Sequence, residues 1–371
     1  MDRAIPPIAA KLDEGAPLSQ EEALLLLTRA DLLTLGALAD SVRSRLHPEG
    51  IVTYIVDRNV NPTNVCVTDC SFCAFYRRPG DGEGYLLPRE VLYRKIEELR
   101  AIGGNLVLMQ GGHHPHLRAD WYAELFADLK SRFPGLHLHA LSPPEIHHLA
   151  KLERGSVRDV IARLRAAGLD SIPGGGAEIL VDRVRKAISP KKCSTEEWLE
   201  VMREAHAAGL RTTATMMYGT VETAAERIIH LSHLRDLQSE TGGFTMFAAW
   251  NFQPHGTPLG ARLGNRTTTP AEYFRLIATA RAFLHNFRNL QASYVTQGLK
   301  AAQLSLRFGV NDFGGTMMEE NVVSAAGCFH LTEIEEIERA IEAAGFAPRR
   351  RNFFYEIVDA RPLPAAAGAA A

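Results

Sequence analysis

No stretch of this 371-residue chain holds the run of about 20 apolar residues that a bilayer crossing needs, so a membrane-spanning helix is not expected. An excess of one charge is also missing. The 41 Lys and Arg residues against 43 Asp and Glu residues leave a net charge of −2, which provides no basic face for nucleic-acid phosphates. Neither nucleic acid nor membrane is therefore expected as a partner. Cysteines number only five, an odd count, and three of them crowd into residues 66–73. That pattern argues against a disulfide framework and for metal ligation in a reducing compartment. Residues 1–18 are charged, contain proline and do not read as a signal peptide, so a cytoplasmic protein is expected.

What is present is the composition of a globular protein: 46% of residues are hydrophobic and 23% charged, too apolar for a disordered chain. Residues 18–46 carry a Leu-rich stripe near the helical period and read as helix, part of an N-terminal helical cap over residues 1–50. After Gly50 short β-branched or apolar runs alternate with amphipathic stretches, the texture of repeated βα units. The expected strands are 51–56, 105–109, 136–140, 169–172, 212–216, 244–250, 290–295 and 304–310. The expected helices between them are 88–101, 120–132, 157–167, 195–208, 224–240, 270–287, a short one near Leu299, and 332–344. Ser156, Ser194, Thr223 and Thr269 are suitable N-caps, and Gly103, Gly168, Gly209 and Gly345 suitable stops.

Eight strands alternating with eight helices predict an α/β fold, a TIM-type (β/α)8 barrel over residues 51–348, with a six-unit open barrel as its structural rival. Residues 349–371 form a C-terminal extension, with a late strand at 352–358 and a frayed tail from 364. In such barrels chemistry sits on loops leaving the C-terminal strand ends, which directs attention to residues 61–78, 110–116, 142–145, 173–178 and 311–321.

Cys66, Cys70 and Cys73 make a CxxxCxxC spacing within the first of these loops. Three thiolates from one loop can ligate three irons of a cubane cluster and leave the fourth iron open. A structural zinc site would want a second cysteine pair, and none is present. Bacterial ferredoxin runs use CxxCxxC and a fourth cysteine, a different spacing. A non-catalytic iron–sulfur or zinc protein is the alternative of another class.

The loop NVCVTDCSFCAFYRRP (64–79), with Phe72 as its aromatic residue, resembles the radical-SAM superfamily. Together with MQGGHHP (109–115), SPPE (142–145), DSIPGGGAEIL (170–180), TTATMMYG, FTMFAAWNFQP and NDFGGTMMEEN (311–321), it resembles the cyclic dehypoxanthine futalosine synthase family of the futalosine route to menaquinone. Aminofutalosine synthase and the deazaflavin-forming synthase subunits are the neighbouring families. The resemblance implies an oxidoreductase with a [4Fe-4S] cluster on Cys66, Cys70 and Cys73 and S-adenosyl-L-methionine as cosubstrate. A 5′-deoxyadenosyl radical would take a hydrogen atom from C4′ of the ribose of dehypoxanthine futalosine, and the carbon radical would close onto the benzoate ring. A reductase such as flavodoxin or ferredoxin would supply the electron, and homodimer formation is left open.

The resemblance further implies that Phe72 contacts the adenine and that the Gly111 and Gly112 backbone meets the methionine amino group, with His113 standing where the family has an acidic residue. Glu178, in its PGGGAE setting, is the cofactor-binding carboxylate, and Glu145 binds the cofactor or accepts a proton. Both are also placed as carboxylates favoured at a helix N-terminus. Arg77 is a partner for a cofactor or substrate carboxylate, with Arg78 beside it, unless the two are a solvated pair. His113 and His114, with His116, donate to substrate hydroxyls or act as base, with a second metal site as their other use. Asp312, with Thr316 and Glu319, reaches across the barrel mouth as a further catalytic candidate, against a glycine-rich turn. His137 and His139 share one side of a strand. Cys193 and Cys328 read as buried thiols, and Met216, Met217, Met317 and Met318 as core.

Overall fold

The computed structural model describes residues 4–359. Ten strands run parallel: β1 Ile51–Ile55, β2 Asp57–Val60, β3 Leu106–Met109, β4 His137–Ala140, β5 Ser171–Ile172, β6 Arg211–Tyr218, β7 Phe244–Asn251, β8 Asn289–Gln291, β9 Asp312–Gly315 and β10 Ala347–Arg350. Their order across the sheet is β10-β1-β9-β8-β7-β6-β5-β4-β3-β2. Only Val56 separates β1 from β2, so the two ends of that order meet in one segment of chain. The lower half pairs with β9 and β10, the upper half pairs with β3, and the sheet curls back on itself. Counting β1 and β2 as one staggered strand leaves the eight barrel positions expected, each followed by helix, with β10 as an extra strand beside β1.

The helices begin where their caps predict. Ser156, Ser194, Thr223 and Thr269 each accept a backbone N–H from the first turn, removing one of the donors a helix start leaves unsatisfied. The N-terminal cap is three helices, Ile5–Asp13, Gln20–Arg29 and Leu32–Leu46, rather than one stretch over 18–46. The break falls at Ala30, whose backbone is extended, and Asp31, which caps the next helix through Thr34 N–H. The cap packs on the outer helices Ala224–Thr241 and Pro270–Phe283, away from the loops that hold the cysteines. No helix among the described residues is long and apolar enough to cross a membrane.

The last third departs from the expected strands. Residues 304–310 are not a strand: the helix Leu299–Ser305 ends there and the chain turns at Gly309, φ +92°. The eighth barrel strand is instead β9, built from Asp-Phe-Gly-Gly, a composition that β propensity disfavours and only its neighbours' pairing holds extended. The strand expected at 290–295 stops at Gln291, and Tyr294–Gln297 is helical. The late strand is Ala347–Arg350 inside the sheet, so the boundary drawn at 348 falls within it. Residues 352–358 form a turn, bridged only between Arg351 and Ile357. The tail from 364 lies outside the described residues.

The segment after β10 floors the barrel. Arg351 forms a two-pronged ion pair with Asp312, with Nη2 2.8 Å from Oδ1, and Thr53 donates to the same carboxylate. Phe353 packs with Ile55 and Leu106 and stacks on His137 at 4.6 Å.

Candidate active site

The loop after β2 is held by backbone bonds to three other segments of the chain. Cys66 N–H donates to Arg77 O at 2.9 Å and Arg77 N–H to Asn64 O at 2.8 Å, which close the loop on itself. Val67 N–H reaches His113 O, Ser71 N–H reaches Ile188 O, and Leu259 N–H reaches Ser71 O. Gly112 is required where it stands, because a Cβ there would lie 2.2 Å from Val65 O. Asp69 and Glu178 hold left-handed backbone conformations (φ +39° and +44°), strain that a non-glycine residue carries mainly where geometry at a site demands it.

Cys66, Cys70, Cys73, Phe72, Gly111 and Gly112 line one cavity of ≈ 260 Å³, bordered also by His113, Glu145 and Glu178. Burial pushes the Cys70 thiol up to about 12, partly opposed by the positive charge of Lys192, so the sulfur stays protonated unless a cation replaces its proton. Among the described residues no set of three or more His, Cys, Asp or Glu side chains converges on a single ion. A cubane needs no such convergence, since each of its irons takes its own thiolate. The other two cysteines lie elsewhere: Cys193 beside Arg185, Cys328 with its thiol donating to Val295 O at 3.2 Å. The neighbouring polar groups are already engaged, so the donor set suits a [4Fe-4S] cluster held by three sulfurs with one corner open to a cosubstrate.

Glu145 has both oxygens occupied. Gly111 N–H donates to Oε1 at 2.9 Å, and Ser142 N–H and Oγ donate to Oε2 at 2.7 and 2.6 Å. It caps its helix and holds Gly111 at the cavity wall, and burial raises it to about 7. Glu178 is ion-paired with Lys192, a partly buried lysine whose ammonium stands 5.0 Å from the Phe72 ring centre. Burial pulls the Lys192 ammonium down, but the charges of Glu178 and Cys70 outweigh it and hold the group above its usual range. Lys192 has no counterpart among the sequence candidates, since nothing in Pro190-Lys191-Lys192 distinguishes it from a surface pair. His113 is buried against Thr68 Oγ1 (2.7 Å) and stacked on His148, and burial keeps it neutral well below its usual range.

Six candidates are not brought to the cavity: Arg77, Arg78, His114, Asp312, Thr316 and Glu319. Arg77 turns away to Glu83 (2.7 Å) and the carbonyls of Ala74 and Tyr76, where it ties the loop together, and Arg78 is exposed beside Asp69. His114 sits on the outer part of its loop with its ring against His116. Asp312 is a strand residue spent on Arg351 at the floor, because the segment read as a loop is β9. Glu319 faces outward to Arg58 and Lys95, while Thr316 brackets the Asp57 backbone. His137 and His139 both face the interior, sharing the Ser171 hydroxyl at 2.7 Å.

A second cavity of ≈ 270 Å³ fills the barrel interior. Gln110, Gly175, Trp250, Val322 and Val323 border both cavities, so the cysteine site opens directly into the chamber. The chamber presents largely apolar walls, and its titratable groups are Asp57, His139, Tyr294, Glu320, Arg351 and Tyr355. Asn59 Oδ1 and Tyr355 Oη are buried along it without hydrogen-bond partners, as expected of groups that await a ligand.

Residues 60–234 match the Radical SAM superfamily, and residues 241–364 match the CofH/MqnC C-terminal region. The first match supplies the cysteine loop, and the second supplies the chamber wall from β7 onward. Over 353 residues the chain is 46% identical to the cyclic dehypoxanthine futalosine synthase of Streptomyces coelicolor, covering 94% of this chain and 88% of that one. It is 43% identical to the same enzyme of Halalkalibacterium halodurans, over 96% of this chain and 95% of that one. It is 41% identical to a 5-amino-6-(D-ribitylamino)uracil–L-tyrosine 4-hydroxyphenyl transferase of Methanosarcina acetivorans, over 92% and 91%. Among solved structures, methylornithine synthase shares the fold at a TM-score of 0.73 and 19% identity, covering 92% of this chain and 97% of that one.

Proposed function

The chain belongs to the radical SAM superfamily, in the family that holds the cyclic dehypoxanthine futalosine synthases, and from that membership we propose that it closes the ring of dehypoxanthine futalosine on the route to menaquinone. One structural observation carries the reading: the three-cysteine cavity opens through shared walls into a single largely apolar chamber large enough for a ribosyl benzoate.

Cys66, Cys70 and Cys73 hold the [4Fe-4S] cluster. Phe72, the Gly111 and Gly112 backbone, and Glu178 face S-adenosylmethionine, with Lys192 fixing the Glu178 carboxylate. When bound, the cluster and S-adenosylmethionine supply the radical that takes a hydrogen atom from the substrate. Glu145 acts by holding Gly111 at the cavity wall. The chamber aligns the ribose with the benzoate ring and excludes water, which converts ring closure to an intramolecular step and protects a reactive carbon. The electron comes from a flavodoxin or ferredoxin, and the buried thiols suit a reducing cytoplasm.

The test is incubation of the reduced, reconstituted enzyme with S-adenosylmethionine and dehypoxanthine futalosine, followed by mass spectrometry. 5′-Deoxyadenosine with a cyclised product is expected. The 41% identity to a 4-hydroxyphenyl transferase supports a second reading. Transfer from tyrosine to 5-amino-6-(D-ribitylamino)uracil, with no cyclised product, would replace the first reading with it, and an adenosyl adduct of an enolpyruvyl benzoate would point to an aminofutalosine synthase.

A further inference from the structure

Ring closure onto an arene leaves one proton to remove inside a barrel built to exclude water. When the ribose carbon bonds to the ring carbon, that carbon's C–H bond must break. Its electron pair stays with the ring, the proton goes to a base, and the surplus single electron leaves to a one-electron acceptor of the iron–sulfur class. We propose that Asp57 is the base that receives this proton, a role that rests on the cyclase reading.

The chamber's other titratable groups are committed elsewhere. Glu320 accepts three backbone N–H groups, from Val322, Val323 and Ser324 at 2.8 to 3.0 Å, through both of its oxygens. His139 has its Nδ1 on Ser171, and burial disfavours its protonation strongly. Burial likewise keeps the phenols of Tyr294 and Tyr355 protonated, and Arg351 is a cation bound to Asp312. Asp57 differs. Among the described residues Met317 N–H, 2.8 Å from Oδ1, is the one donor that another residue supplies to its side chain, with a smaller contribution from its own backbone N–H. A buried carboxylate usually collects several donors, so one that draws so few from its neighbours on a cavity wall is poised for a ligand or a proton.

The surroundings fix where that carboxylate lies. Asp57 begins the upper half of the seam strand, and its carboxylate rests over the Gly315 backbone, where a Cβ would fall 2.1 Å from Oδ1 and 2.3 Å from Oδ2. Gly315 is thus glycine to admit the carboxylate. The Tyr294 hydroxyl donates to Gly315 O and Thr316 O, both at 2.8 Å, and pins that backbone from the far side. Burial raises the Asp57 carboxyl to about 6; the Met317 N–H and Arg351 oppose the rise and Asp312 reinforces it. Tyr294, Tyr355, Glu320 and His139 complete the titratable groups around that part of the chamber.

The experiment compares the reconstituted wild-type enzyme with Asp57→Asn, which keeps the shape and removes the base. Iron content and S-adenosylmethionine cleavage report an intact cluster site. Expected is an Asp57→Asn enzyme that still releases 5′-deoxyadenosine but forms cyclised product at least about 100-fold more slowly. The acid limb of the kcat/KM profile near pH 6 should also disappear, a change that a merely structural role would not cause. Asp57→Glu, which retains a carboxylate, should recover part of the rate with a displaced limb, and it serves if Asp57→Asn fails to fold. An Asp57→Asn enzyme that cyclises at the wild-type rate, or an Asp57→Glu enzyme whose limb is unmoved, overturns the proposal. If wild-type enzyme gives no cyclised product, the cyclase reading itself has failed; if wild type and Asp57→Asn cyclise alike, only the role of Asp57 has.

Discussion

The Lys192 ammonium stands 5.0 Å from the centre of the Phe72 ring while it is ion-paired with Glu178, so one partly buried cation joins the cysteine loop to the loop after β5. The contact couples the aromatic residue of the cysteine motif to a carboxylate in strained backbone. Lys192→Met should therefore leave Glu178 buried without its countercharge, at a cost of about 3–5 kcal/mol. A lowered thermal midpoint and a raised KM for S-adenosylmethionine are expected. An unchanged KM would remove Lys192 from the cofactor site.

Cys70→Ala should abolish cleavage of S-adenosylmethionine and lower iron loading while the circular dichroism of the barrel persists, because the loop is also held by backbone bonds that the thiol does not make. Cys193→Ala and Cys328→Ala should cleave at the wild-type rate, since both thiols lie outside the cavity. Full iron content in Cys70→Ala would refute the ligand assignment.

Gly112→Ala drives a methyl group into the Val65 carbonyl, and backbone cannot swing aside as a side chain can. Overpacking of this kind costs about 1–3 kcal/mol. Here it should also displace the segment carrying Cys66, with reduced iron per chain as the readout. Gly82→Ala, with open space around the added carbon, should change stability by no more than about 0.5 kcal/mol.

Glu145 carries a pH prediction. Burial raises its carboxyl from the usual 4.5 to about 7, so the folded state binds a proton that the unfolded chain has already released across that interval. Its contribution to stability is complete below pH 4.5 and is lost as pH rises through 7. The denaturation midpoint of Glu145→Gln should accordingly fall less between pH 5 and pH 8 than that of the wild type. An identical fall would show that Glu145 is ionised throughout.

Much of this was readable in the sequence, for identifiable reasons. The cysteine spacing encodes its chemistry locally, and strands such as Leu106–Met109 and Phe244–Asn251 are apolar enough to reveal themselves because a parallel sheet buries both faces. Asp312–Gly315 was hidden because its strand state is imposed by β1 and β8 and not by its own residues. The apolar letters of 304–310 belong to a helix end and a turn. That shift sent Asp312 to the floor. Lys192 and Asp57 carry no local motif; only the fold sets one against Phe72 and the other over Gly315.

The staggered first strand gives the barrel a single fastening. Its lower half clasps the last strand of the described residues and its upper half runs into the loop bearing the thiols, with one valine between the two duties. Arg349 and Arg351 are buried beside that lower half. The hem that joins the two edges of the sheet and the stem from which the thiol loop springs are thus the same ten consecutive residues, Ile51 to Val60.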